Sequence, residues 1–123
     1  MKKTGYLLVL LLLSGCYKQL SLEGFDKEKW VQTDECSGYR LEVVDHLIAN
    51  KEILLEGTQN EVESLLGKAT EHELYDRNQK FFHYRLTPAD GCGDHEVITY
   101  LSIRFNAIGR ANLVQKMLRD VNN

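Results

Sequence analysis

A single proline, Pro88, interrupts the 123 residues, so no segment has the composition of a proline-rich linker or a low-complexity stalk. No basic stripe gathers the 15 Lys and Arg residues, which 18 Asp and Glu outnumber. That excludes the electrostatic footprint of a nucleic-acid-binding chain, and no polybasic patch speaks for attraction to anionic lipid. No glycine-rich phosphate loop is present either: Gly91-Cys92-Gly93 is not followed by a helix and has no basic residue beside it. Nor does any apolar run reach the roughly 20 residues that a membrane-spanning helix needs. The best stretch, counted generously from Gly5 to Tyr17, ends at Lys18.

What that stretch does contain is ordered. Lys2 and Lys3 supply a basic start, Leu7 to Leu13 is an unbroken apolar run, and Ser14-Gly15 are small residues directly before Cys16. A basic start, a short apolar core and a small-residue exit make a secretory signal. Read as a core helix, the run would need partners that the small, polar remainder of the chain cannot supply. The expected organisation is a signal peptide over 1–15, a lipidated Cys16 with a tether over 16–24, and one domain over 25–123. Without Lys2 and Lys3, 13 basic residues face 18 acidic ones, a mild and dispersed acidity.

Three cysteines in an exported chain leave one thiol to be explained. With Cys16 consumed by lipid, Cys36 and Cys92 remain for a disulfide in an oxidising compartment. Closing that loop of about 56 residues contributes on the order of 4 kcal/mol in the chain-entropy account. Two unpaired thiols are the other reading.

Along the mature chain, Phe25 to Gln32 reads as a helical turn or two, with Asp26 as cap and Phe25 and Trp30 as apolar contacts. Leu41, Val44, Leu47 and Ile48 recur at helical spacing, with Arg40, Glu42, Asp45 and Asn50 elsewhere on the wheel. Thr58-Gln59-Asn60-Glu61 is a capping box opening a second, two-turn amphipathic helix along Val62, Leu65 and Leu66. Gly67 stands where a left-handed terminator is wanted. Then the period changes. Glu71 to Tyr75 starts a strand. Lys80 to Leu86 sets Phe82, Tyr84 and Leu86 against Phe81, His83 and Arg85. Val97 to Phe105 alternates Val97, Thr99, Leu101, Ile103 and Phe105 with Ile98, Tyr100, Ser102 and Arg104. Asn106 to Gly109 is turn chemistry, and Arg110 to Lys116 pairs back as a last strand. Two helices followed by an antiparallel meander make an α+β pattern with the helices on one face.

From Leu54 to Val114 these motifs resemble the SmpA/OmlA, or BamE-like, lipoprotein domain. The residues that carry the resemblance are Leu55-Glu56-Gly57-Thr58-Gln59-Asn60-Glu61-Val62, Leu65-Leu66-Gly67-Lys68-Ala69, Tyr84, and Leu101-Ser102-Ile103-Arg104-Phe105-Asn106-Ala107-Ile108-Gly109-Arg110. Ala69 stands where the family usually has proline. Leu13-Ser14-Gly15-Cys16 independently resembles bacterial lipoprotein precursors. The resemblance implies two helices on a three-stranded antiparallel sheet, and a binding role of the kind played by accessory subunits of outer-membrane β-barrel assembly. Tyr17 in place of aspartate after the cysteine favours, by analogy with proteobacterial sorting, the periplasmic side of the outer membrane over the inner membrane. The layout also resembles half of the β-lactamase inhibitor protein fold, with Thr87 to Glu96 as a probing loop. The alternative reading is therefore an inhibitor of a periplasmic or foreign enzyme, of the lysozyme or β-lactamase kind.

Enzyme chemistry finds little support. His46, His72, His83 and His95 are scattered, none in a nucleophile–base pairing. Cys92, His95 and His83 would make a sparse metal set, short of the four ligands of structural zinc, and Cys36 competes for Cys92. Asp90, Asp94 and Glu96 read as solvated loop acids. No catalytic residue, metal, cofactor or small-molecule substrate is expected. The expected partners are the membrane, through the lipid, and an envelope protein. The candidate interface is Phe81, Ile98, Tyr100 and Arg104 on the second face of the sheet, where aromatic residues lie beside arginine.

Overall fold

A computed structural model describes residues 19–32, 38–88, 92 and 97–120. Cys16, the segment 1–15 expected to be a signal, and Cys36 lie outside the described residues, as do Asp90 and Asp94 to Glu96. The described residues form an α+β fold: helices α1 (Lys27–Val31), α2 (Tyr39–Ala49) and α3 (Gln59–Leu66) precede a four-stranded antiparallel sheet. Its strands β1 (Glu71–Tyr75), β2 (Gln79–Arg85), β3 (Val97–Phe105) and β4 (Ala111–Asp120) are neighbours in chain order. The α+β meander expected from the pattern is present, with one more helix and one more strand than two on three.

The additions have local causes. α1 is a single turn or so, capped where the sequence indicated, with Asp26 Oδ1 accepting from the Lys29 amide at 3.3 Å. A helix this short does not hold by propensity. Trp30, fully buried, holds it down. β1 pairs with β2 through a tight hairpin, Tyr75 opposite Gln79. In the hairpin, Arg77 and Asn78 both have φ 61 and the Gln79 amide donates to the Asp76 carbonyl at 3.4 Å. Two successive residues at positive φ, in the three-residue loop between Tyr75 and Gln79, hold a conformation that Asn and Gly adopt more readily than other residues. Arg at the first of these positions carries a left-handed cost of about 1–2 kcal/mol. Changing Arg77-Asn78 to Asn-Gly is therefore expected to stabilise the domain by about 1 kcal/mol, read as a melting midpoint several degrees higher. An unchanged or lower midpoint would argue against this hairpin geometry.

The core lies on one face of the sheet. Phe82, Tyr84 and Leu86, Leu101, Ile103 and Phe105, and Ala111 and Val114 meet Trp30, Val43, Val44, Leu47, Leu54, Val62, Leu65 and Leu66 in one buried cluster. The two-residue alternation along β2 and β3 sorts the side chains into these two sets, because a strand's successive side chains alternate between faces, and the helix packing decides which set is inward.

The first amphipathic helix is rotated from its expected phase. The buried stripe of α2 is Arg40, Val43, Val44 and Leu47, while Leu41 is 40% exposed. Counting Arg40 as a surface residue misplaced the stripe. Its guanidinium lies 4.7 Å from the Trp30 ring, with Nε donating to the Trp30 carbonyl at 2.7 Å and Nη1 to the Arg85 carbonyl at 2.8 Å. An arginine that stacks on an aromatic face and spends its donors on carbonyls behaves as a core residue.

α3 begins as the capping box predicts, with the Glu61 amide donating to Thr58 Oγ1 at 3.2 Å. Glu61 does reach back, but to accept from the threonine hydroxyl at 3.3 Å. Its C-terminus is finished by side chains from elsewhere. Trp30 Nε1 donates to the Leu66 carbonyl at 3.0 Å and the Tyr84 hydroxyl to the Gly67 carbonyl at 2.8 Å. Carbonyls that a helix end leaves without a partner thus find two core aromatic donors. Gly67 has the expected positive φ of 70, but its ψ of −166 makes it extended rather than a left-handed helical cap.

Packing against the core starts at Leu20, inside the segment read as tether. Leu20, Leu22 and Phe25 pack against the cluster, and the Leu20 amide donates to Ser64 Oγ on α3 at 2.9 Å. β4 runs to Asp120, beyond the Lys116 expected from the pattern, paired with β3 as far as Val97.

Candidate functional site

With the helices on one face, the other face of the sheet is free of helix packing among the described residues, and cross-strand register decides what it carries. Phe81 stands opposite Arg104 and Glu73, His83 opposite Ser102 and Glu71, and Arg85 opposite Tyr100. Toward β4, Leu113 follows Arg104, Gln115 follows Ser102, Met117 follows Tyr100 and Arg119 follows Ile98. The four candidate interface residues Phe81, Ile98, Tyr100 and Arg104 therefore share this face.

They are not equally accessible. Phe81, Ile98 and Arg104 are half-buried, but Tyr100 is 3% exposed. Arg119 lies 4.9 Å over the Tyr100 ring and reaches Glu71 Oε2 at 3.5 Å, while the Tyr100 hydroxyl makes a long 3.5 Å contact with Glu71 Oε1. Arg104 Nε donates to Asn112 Oδ1 at 3.1 Å. Tyr75, half exposed, meets Phe81 edge-on with ring centroids 5.7 Å apart. The surface of the face is thus an aromatic pair, Tyr75 and Phe81, beside three arginines and two glutamates.

Beneath it lies a polar centre that the sequence did not reveal. His83 is 2% exposed; its Nδ1 is 2.7 Å from Ser102 Oγ and its Nε2 2.8 Å from Glu73 Oε2. Phe81 stacks on the imidazole, the rings 5.5 Å apart and nearly parallel. Ser102 is directly opposite His83, and Glu73 is the diagonal neighbour across the β1–β2 pair. Alternation alone puts His83 and Ser102 on one face. Only the register of β1 brings Glu73 to them.

Serine, histidine and a carboxylate in hydrogen-bonded sequence invite comparison with a nucleophile and its base. The geometry argues otherwise. Ser102 is 1% exposed, so no carbonyl carbon can approach its hydroxyl, and Phe81 covers the imidazole. Each polar atom has its partner, and among the described residues no buried side-chain nitrogen or oxygen is left without one. A fully satisfied buried network fixes strand register and rigidifies the face. Among the described residues no group of three or more His, Cys, Asp or Glu is placed to hold a metal ion. His83 is committed to Ser102 and Glu73, and His95 lies outside the described residues. Cys92 is in disulfide linkage, with its partner outside the described residues.

A buried cation, Arg40, is on the helix side. Desolvation by burial lowers its pKa to about 10, and a neighbouring Tyr84 phenolate would oppose that shift. Tyr84 is pushed well above the usual phenol range, first by burial and then by the charge of Glu63. At neutral pH both keep their ordinary forms, guanidinium and phenol, and both are spent on backbone carbonyls rather than held open for a ligand.

Family models, curated proteins and solved structures yield no match to this chain. The functional reading therefore stands on the residues and their geometry.

Proposed function

We propose that the protein is a lipid-anchored lipoprotein of the cell envelope, without enzymatic activity, whose domain binds an envelope protein through the helix-free face of its sheet. The observation that carries the reading is Leu13-Ser14-Gly15-Cys16 behind a basic start and a short apolar run. The motif order resembling BamE-like domains supports a role in outer-membrane β-barrel assembly or envelope maintenance, on the periplasmic side of the outer membrane. The face supplies aromatic and arginine side chains over a rigid polar centre, the composition from which binding hot spots are drawn. In this reading Cys36 is the partner of Cys92, because Cys16 carries acyl chains. One chain binds a membrane only marginally, so stable anchoring takes more than one.

Two measurements test the proposal. Unreduced intact mass spectrometry of the mature protein is expected to find Cys16 as the acylated first residue, with two hydrogens fewer than the all-thiol form. An unprocessed Met1 terminus with three alkylatable thiols would remove the reading altogether. In crosslinking pull-downs of the native lipoprotein, the double variant Phe81→Ala/Arg104→Ala is expected to recover its envelope partner at least about tenfold less well than wild type, as hot-spot losses of 2 kcal/mol or more do. Equal recovery by both proteins would move the interface elsewhere, and capture of a lysozyme or β-lactamase would favour an inhibitor.

A further inference from the structure

The chain is gripped almost as soon as it leaves Cys16. The Leu20 amide is bonded to Ser64 Oγ, and Leu20 and Leu22 are packed against the core. Gln19 lines a shallow cleft with Lys27, Asn60, Glu63 and Ser64. α3 buries Val62, Leu65 and Leu66 toward the sheet, so Asn60 lies on its outer side, away from the sheet. The chain therefore enters the domain on the outside of the helix layer.

Four peptide units separate Cys16 from Leu20, and extended backbone covers about 3.5 Å per residue. The lipid-bearing Cα can therefore lie no more than about 14 Å from that of Leu20. A domain of about 100 residues has a radius of gyration near 13 Å. The leash is shorter than the body it holds, and the body cannot turn over on it.

We infer that the helix layer around Gln19 and Asn60 is held against the lipid headgroups, while the helix-free face of the sheet is turned away from the bilayer. The inference rests on the proposed lipidation of Cys16 and adds an orientation to it. Charge does not set this orientation: Glu52, Glu56 and Glu61 line the neighbouring cleft and Glu63 the first, against Lys27. An acidic surface gains nothing from anionic headgroups. The short leash does the orienting. Phe81 and Arg104 are thereby presented to whatever approaches from the aqueous side, at least one helix diameter, about 10 Å, beyond the membrane-apposed surface.

The acylated full-length protein in phosphatidylcholine nanodiscs carrying a gadolinium-chelating headgroup lipid would test this by amide relaxation. Paramagnetic enhancement falls with the sixth power of distance, so amides around Asn60 are expected to be enhanced at least roughly tenfold over those around Gln115, given the helix layer between them. Equal enhancement, or the reverse order, overturns the inference. Inserting ten Gly and Ser residues between Tyr17 and Lys18 is expected to collapse the difference toward unity, and persistence of the full difference would equally overturn the leash argument. Intact mass measured on the same sample separates the two failures. Unacylated Cys16 refutes the lipoprotein reading, whereas acylated protein without the gradient refutes only the orientation.

Discussion

Trp30→Ala is expected to cost about 3–5 kcal/mol, the range for deleting a buried aromatic ring. Against a total stability of about 5–15 kcal/mol, that leaves a domain partly unfolded at room temperature or melting far below wild type. The effect is large because one side chain serves three structures. Trp30 is fully buried, its ring packs against Phe25, Tyr84 and the Arg40 guanidinium, and its indole N–H closes the end of α3 at the Leu66 carbonyl. Trp30→Phe separates these roles by keeping a ring and removing the donor. It leaves the Leu66 carbonyl without its buried partner, at about 1–3 kcal/mol, clearly less than the alanine variant. Urea titration followed by far-ultraviolet circular dichroism reads both. An alanine variant with a wild-type midpoint would mean that α1 is an ornament and not a clamp.

Gly67→Ala is the second large effect. At φ 70 and ψ −166 the residue occupies backbone space that essentially only glycine tolerates, at a cost of about 1–3 kcal/mol for any other residue. A Cβ there would also meet Val31 Cγ1 at 2.9 Å. Val31 is 44% exposed and can move, so the backbone term dominates. The expected result is a loss of about 1–3 kcal/mol by denaturant titration, of which Val31→Ala in the same chain restores only a minor part. Full restoration would transfer the cause from backbone conformation to the clash.

These two residues mark the boundary of what could be read from the sequence. Local pattern alone gives the buried stripe Val62, Leu65 and Leu66 after the Thr58 capping box and sorts β2 and β3 into two faces; which face is inward depends on where the helices pack. Arg40 breaks that reading, because its burial depends on Trp30 and on the Arg85 carbonyl, 45 residues away. The polar centre was out of reach for the same reason. Glu73, His83 and Ser102 come from three strands, and a slip of one residue in β1 would send Glu73 to the other face. The pattern itself places strands at Glu71 to Tyr75 and at three later segments; the count of three came from the resemblance, and the fully exposed β1 is the strand it leaves out. Gly67 was recognised as a stop, but its ψ is set by where the chain must go to enter β1.

β1 has one further consequence. All five of its residues are exposed, Leu74 at 82%, and its backbone pairs with one strand only, at the edge of the sheet. Such a segment opens at low free energy, before the rest of the sheet. Yet it supplies the carboxylate that accepts from, or pairs with, a nearly inaccessible imidazole in the middle of the face. Opening the strand strips His83 of that partner, and holding His83 in place retains the strand. The least stable edge of the sheet and its most enclosed polar group are thermodynamically linked, so a molecule that engages either one changes the population of the other.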